Sequence, residues 1–301
     1  MTLAIIQLIV FQFVLPATLL SLLLWKGTHH CKLHWLVHVV ALSMYMTWIF
    51  LTGRWDWLGY YFRYLWVVLP LVVFYLSWRK VRHLPFRSGF TRSQKWSFAL
   101  DGFLLTVFGL YSLFALSSLT TEDEAIELVF PLEDGHYYVG QGGNHPMMNY
   151  HNAYLPQQYA LDVTQLNAFG FRTKGIYPSE LEKYEIYGAE LYSPCTGEVL
   201  EARNDLPDYT PPESDPTHPE GNYVALSCVG SEAIVFIAHM QEGTVQVEEG
   251  MSVEVGDFLG LIGNSGNTTE PHLHIHAEKD GVGVPMRFAG KFLVRNSVVR
   301  R

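Results

Sequence analysis

The run Pro-His-Leu-His-Ile-His at 271–276 holds three imidazoles at alternate positions. In an extended strand, alternate residues share a face. His272, His274 and His276 would therefore project to one side, two residues apart. Ala-Glu follows rather than an apolar run, so core packing accounts poorly for the three histidines. Further metal-ligand types stand in Ala238-His239 and in Leu161-Asp162. Imidazole is the commonest metal ligand near neutral pH, and zinc accepts imidazole nitrogen together with carboxylate oxygen. The spacing points to a metal site carried on strands.

The elements that would carry these residues are short. Segments 189–193, 197–202, 222–229, 233–240, 252–255, 259–263 and 272–277 read as strands, several of them parted by glycine turns. That pattern predicts a mainly β domain, barrel-like or sandwich-like. A short helix is expected near 179–184. The loop 203–220 is long, acidic and rich in proline; such loops are rims of binding sites or insertions, and His218 in it reads as a surface residue. The three cysteines, Cys31, Cys195 and Cys228, form no C-x-x-C pair, so a thiolate zinc finger is not expected. Cys195 and Cys228 pair if their strands are neighbours and are otherwise two buried free thiols; spacing leaves both readings open.

The chain changes character along its length. Residues 1–120 hold ten Lys/Arg and two Asp/Glu, whereas residues 121–301 hold ten and twenty-seven. The acidic part has no basic patch, which excludes a nucleic-acid partner. Apolar stretches at 2–25 and at about 33–53, 60–78 and 98–119 are long enough to cross a bilayer, with Arg63 free to snorkel to the interface. No Lys or Arg precedes Lys26, so the first stretch reads as a retained span and not as a secretory signal. The 79–97 connection contains Arg79, Lys80, Arg82, Arg87, Arg92 and Lys95 and no acid, which assigns it to the cytoplasm. The loop with Lys26 and Lys32 falls on the same side, and everything after residue 120 falls outside. A multi-pass protein of the cell membrane is expected, with the lipid bilayer as one partner. Asp101, early in the fourth stretch, reads either as a functional intramembrane carboxylate or as an acid near the cytoplasmic interface beside Lys95, and His34 and His38 either as binding residues or as interfacial histidines that need no ligand.

Four runs, read in order, carry a resemblance: Gly221-Asn-Tyr-Val, Ala238-His239-Met240, GMSVEVGDFLG at 250–260 and GNSGNTTEPHLH at 263–274. Over roughly 125–290 the chain resembles the lysostaphin-type zinc metallopeptidases, which cut the peptide part of bacterial peptidoglycan. The resemblance implies that His274 and Asp162, the latter in Tyr-Ala-Leu-Asp, bind Zn2+. It implies that His239 and His272 assist catalysis. The helical motif His-Glu-x-x-His is absent, so the zinc site would be of another type. The family's ligand histidine four residues before the aspartate is here Gln158. His151, eleven residues before Asp162, is the expected replacement, with His145 further back; the alternative is a site lacking a ligand. His276 reads as a supporting or structural residue.

The expected organisation is a transmembrane helical region at 1–120, a linker and first strand at 121–134, a zinc metallopeptidase-like β domain at 135–290 and a tail at 291–301. The expected function is a membrane-anchored zinc endopeptidase acting on peptidoglycan peptides outside the cytoplasmic membrane. The alternatives are a catalytically inactive module that binds peptidoglycan or regulates another hydrolase, and a sensor or transporter working through the four spans. No feature of the sequence bears on oligomeric state.

Overall fold

The structure is a computed structural model that describes residues 2–25 and 29–301. Lys26 lies outside the described residues. The chain divides into two compact units, Met1–Trp55 with Tyr61–Leu116, and Asp56–Tyr60 with Ser117–Arg301.

The first unit is helical. Ile5–Trp25, Lys32–Thr52, Phe62–Val81 and Arg92–Ser117 are each long and apolar enough to cross a membrane. Apolar residues lie all round these helices, as on helices that face lipid or a core. Polar groups join them at few points: Trp35 Nε1 donates to Ser77 Oγ at 3.0 Å, and the Tyr45 hydroxyl donates to the Phe11 carbonyl at 2.5 Å. The fourth helix begins six residues before the expected 98, because Thr91 and Gln94 cap it. Thr91 N donates to Gln94 Oε1 at 2.8 Å, and Gln94 N to Thr91 Oγ1 at 3.4 Å. Reciprocal capping of this kind starts a helix in polar sequence that hydropathy does not register.

The second unit is mostly β-sheet. Its strands are β1 (Ile126–Leu128), β2 (His136–Gln141), β3 (Leu161–Gln165), β4 (Glu190–Tyr192), β5 (Gly197–Arg203), β6 (Asn222–Cys228) and β7 (Ile234–Met240). They continue as β8 (Ser252–Val253), β9 (Phe258–Leu261), β10 (Leu273–Lys279), β11 (Val282–Val284), β12 (Met286–Phe288), β13 (Lys291–Phe292) and β14 (Val298–Arg300). The main sheet runs β14-β2-β3-β10-β7-β6-β5-β8, with β11 paired to β10; β1-β12-β13 and β4-β9 form smaller sheets. Alternation sets the core. Leu273, Ile275 and Ala277 of β10 pack with Leu161, Val163, Val235, Ile237, Val224 and Leu226, while His274 and His276 occupy the opposite face, as the two-residue period requires.

Several elements were less legible. The 179–184 segment forms only a 3-10 turn, Leu181–Lys183. Residues 291–301, read from sequence as a tail, carry β13 and β14, and Val298, Val299 and Arg300 pair with β2. Cys195 and Cys228 are disulfide-bonded with Cα atoms 5.6 Å apart. Register explains the pairing: Cys228 stands opposite Gly197 on the adjacent strand, and Cys195 is only two residues away. Asp56–Tyr60, from the connection between the second and third helices, belongs to this β unit. Tyr60 N donates to the Gly170 carbonyl at 2.8 Å, and Trp57 stacks on Tyr177 at 5.7 Å and 7°.

Candidate metal centre

Asp162 sits on β3, opposite His274 on β10. Pairing of these neighbouring strands brings the carboxylate to the imidazole: His274 Nδ1 lies 3.0 Å from Asp162 Oδ1. His151 arrives from outside the sheet, on the 3-10 turn Tyr150–Ala153. Its Nε2 is 2.9 Å from the same Oδ1, and the Tyr150 hydroxyl donates to Oδ2 at 3.2 Å. The turn is held by Asn149, which is fully buried. Asn149 Nδ2 donates to the carbonyls of Gly143, Gln158 and Ala160 at 3.1, 3.3 and 3.0 Å, and Oδ1 accepts from His151 N at 3.2 Å. One amide thus fixes the backbone that presents His151.

Gln158 does not enter the centre. Its Nε2 donates to the Gly283 carbonyl at 3.1 Å, tying the segment before β3 to β11. His145 is also elsewhere, its Nδ1 accepting from Met147 N at 3.1 Å.

His239 and His272 stand beside this group. The strand β7 carries an extra residue opposite β6, where the register shifts between Asn222 and Val224, and His239 there takes φ of 61°. A non-glycine residue in the left-handed region costs about 1–3 kcal/mol, and a bulge re-aims a side chain. The imidazole is fixed by its Nδ1–H donating to the Ser265 carbonyl at 2.9 Å. His272 is fixed in the same manner, Nδ1–H donating to the Glu270 carbonyl at 2.8 Å. Both rings therefore present Nε2, and the ring centroids are 4.9 Å apart. His272 Nε2 is 3.5 Å from Asp162 Oδ1.

Behind His272, Arg172 clamps the loop. Its Nε and Nη2 donate to Glu270 Oε2 at 2.9 and 2.7 Å, its guanidinium lies 3.9 Å over the Trp57 ring, and Asp56 Oδ2 is 3.8 Å away. Arg172 is buried. Sequence reasoning missed Arg172, Asn149 and Tyr150. Glu270 and Ser265 lay inside the quoted motif without an assigned role. A lone arginine or asparagine in an acidic domain carries no local sign of what it will touch.

Burial disfavours charge on Asp162, yet the imidazoles of His151 and His272 outweigh it and hold the carboxyl well below the usual carboxylate range. Burial takes His274 down to about 4 and pushes His239 well below the ordinary imidazole range, with His272 and His274 acting in the same direction. His276 is likewise depressed, by burial first. It stacks on Phe236 at 4.8 Å and 6°, and its Nδ1 is 3.1 Å from His274 Nε2, the place of a partner that orients the ring.

The donor set fits a zinc-type ion. His151, Asp162 and His274 offer one ligand atom each, all within 4.8 Å of one another, and His239, His272 and His274 form a second such group. Two nitrogens and a carboxylate oxygen are donors that zinc prefers. A cleft of about 300 Å³ opens on His151, His239 and His274 of this group, lined further by Tyr150, Tyr154 and Glu220. Fold and cluster together define the class, a mostly β-sheet domain with a buried histidine–aspartate group able to hold a metal.

Residues 184–286 match the sequence model of Peptidase family M23, and the chain carries a domain of that family there. The matched stretch contains His239, His272 and His274 and begins after His151 and Asp162. Similar solved structures include a zinc-containing peptidase from Vibrio cholerae, 20% identical, covering 54% of this chain and 39% of that one, with a TM-score of 0.32. A protein described as an M23 peptidase from Pseudomonas aeruginosa is 17% identical, covering 58% and 56%, with a TM-score of 0.32. Lysostaphin, from Staphylococcus simulans, is 19% identical, covering 48% and 44%, with a TM-score of 0.30. The chain thus spans 39% and 56% of the length of the first two. No curated protein matches the chain.

Proposed function

We propose that this protein is a membrane-anchored zinc endopeptidase that hydrolyses peptide bonds of peptidoglycan on the extracytoplasmic side. The observation that carries the reading is the convergence of His151, Asp162 and His274 donors within 4.8 Å, with His151 and His274 on the wall of an open cleft. Gln158, the departure that favours an inactive module, is compensated in this reading by His151.

His151, Asp162 and His274 would hold the metal. Zinc bound there supplies Lewis acidity and a water whose pKa is lowered to about 7. The remaining work belongs to the chain. His272 and His239 each keep a proton on Nδ1, donated to a backbone carbonyl, so Nε2 is the atom that accepts or returns a proton. The ring whose Nε2 takes the proton of the attacking water becomes an imidazolium, and it can return that same proton to the departing amine as the C–N bond breaks. Arg172 acts through Glu270, holding the carbonyl that orients His272. The Tyr150 hydroxyl steadies Asp162 through Oδ2. A peptide chain enters along the cleft rim formed by Tyr150 and Tyr154.

Orientation rests on two independent observations. The basic 79–97 connection supports a cytoplasmic side there. The disulfide between Cys195 and Cys228 belongs to an oxidising compartment, which supports an extracytoplasmic β unit. Reporter fusions test this: an exported-only reporter joined after Arg301 should be active, and one joined within 79–97 inactive. The reverse pattern would exclude peptidoglycan as the substrate.

Activity is tested on the full chain purified in detergent. About one zinc in the β unit and release of new amino termini from purified peptidoglycan are expected, with His272→Ala folded, metal-loaded and inactive. Unchanged cleavage by His272→Ala would overturn the mechanism.

A further inference from the structure

The second helix, Lys32–Thr52, carries His34 and His38 four residues apart, and the fourth helix, Arg92–Ser117, carries Ser97 and Asp101 at the same spacing. Residues four apart share a helix face, and these two faces meet. His34 Nε2 is 3.3 Å from Ser97 Oγ, and His38 Nδ1 is 3.0 Å from Asp101 Oδ1. His29, just before the second helix, packs its ring 5.2 Å from that of His34 and 5.6 Å from that of His38. Three imidazoles and a carboxylate gather within an apolar helical unit. Of the two sequence readings of Asp101, His34 and His38, the functional one is the reading that a joint cluster favours.

The carboxylate is not satisfied by its neighbours. Asp101 is 5% exposed and His34 is 7% exposed. Asp101 Oδ2 is buried without a hydrogen-bond partner. The ion pairs of Asp101 among the described residues are to His34 and His38, with no lysine or arginine among them. A carboxylate in such surroundings is costly unless a cation neutralises it, and an orphaned buried polar atom calls for a missing partner. Oδ2 lies 3.9 Å from His34 Nε2. That is too long for a hydrogen bond, and it is within the ~4.2 Å that two donors each ~2.1 Å from one ion can span.

We propose that Asp101, His34 and His29 bind a divalent transition-metal ion of the zinc class within the helical unit. His38, through Nδ1–H to Oδ1, holds the carboxylate in place, the role that partners of metal ligands play. Two imidazoles and one carboxylate suit zinc, cobalt or nickel, and not calcium or magnesium, which take oxygen ligands. The donors do not all stand within 4.8 Å of one another as those of the β unit do, so binding includes a rotation of the His29 ring. The site shares no residue with the β-unit clusters and stands independently of the peptidase reading.

The test is zinc content of the full chain in detergent after loosely bound metal is removed. His274→Ala deletes a donor common to both β-unit groups, so an ion that survives in this variant lies elsewhere. One zinc per chain is expected in His274→Ala, falling to none in His274→Ala/Asp101→Asn and in His274→Ala/His34→Ala. Cobalt loading of His274→Ala should give a visible d–d absorption that both double variants lose. Helical circular dichroism and gel filtration confirm that each variant is folded; if one is not, the other carries the test. A folded His274→Ala chain with no zinc overturns the proposal, as does zinc that persists in a folded double variant. A wild-type chain whose zinc is removed by Asp101→Asn but not by His274→Ala would support this site and count against the peptidase centre alone.

Discussion

At the scale of single residues, His151 is the informative position. It reaches Asp162 because Asn149 holds the turn before it, while Gln158 is engaged with Gly283. His151→Ala is therefore expected to abolish bound zinc in the β unit and cleavage with it. Gln158→Ala should lose only a hydrogen bond, about 1 kcal/mol, and keep both. Metal analysis and a denaturant melt of the two variants separate the cases, and zinc loss in Gln158→Ala would return the ligand role to that position. Arg172 makes a second case. Removing its charge takes from the buried Glu270 the guanidinium that neutralises it, so Arg172→Met should destabilise the β unit by about 3–5 kcal/mol. Its remaining folded fraction should show a lowered kcat with zinc retained. A variant with wild-type kcat would mean that the clamp does not position His272.

At the scale of elements, the glycines of the motif have a geometric purpose. Gly221 adopts φ of +65°, and a Cβ there would stand 2.3 Å from the Ser265 carbonyl oxygen. Gly266 adopts φ of +82°, and its Cβ would stand 2.4 Å from Gly221 N. The two loops pack backbone to backbone, and the Ser265 carbonyl at that contact is the acceptor for His239 Nδ1–H. Gly221→Ala is expected to cost more than about 1 kcal/mol and to reduce kcat with little loss of zinc, because His239 is not among the three proposed ligands. Thermal melts and kinetics of the purified full chain check both expectations. Undiminished activity would disconnect the loop contact from catalysis.

At the scale of the whole molecule, the disulfide and the charge asymmetry bear on compartment and stability. Closing a loop of the 33-residue separation stabilises by about 4 kcal/mol in the chain-entropy account. Cys195→Ser/Cys228→Ser is expected to lower the stability of the β unit by that order, and reductant should have a comparable effect on the wild type and none on the variant. Free thiols at both positions in protein alkylated directly on cell lysis would show that the bond does not form in the cell, and would remove one support for the extracytoplasmic assignment.

Much of the molecule was legible in the chain. Runs of about twenty apolar residues form long apolar helices, and alternation in His272–Ala277 fixes which side chains share a face, so these helices and the central strands follow from local pattern, whereas His274 and Asp162 as partners were implied only by the family resemblance. Capping at Thr91 and the short strands β13 and β14 escaped because hydropathy does not record them. What lay beyond the sequence depends on residues far apart in the chain meeting in space. The His151 turn, the Arg172–Glu270 clamp, the Cys195–Cys228 bond and the Asp101–His38 pair are each set by the register of distant strands or by the facing of distant helices. Spacing along a chain constrains which residues share a face; only packing decides which faces meet.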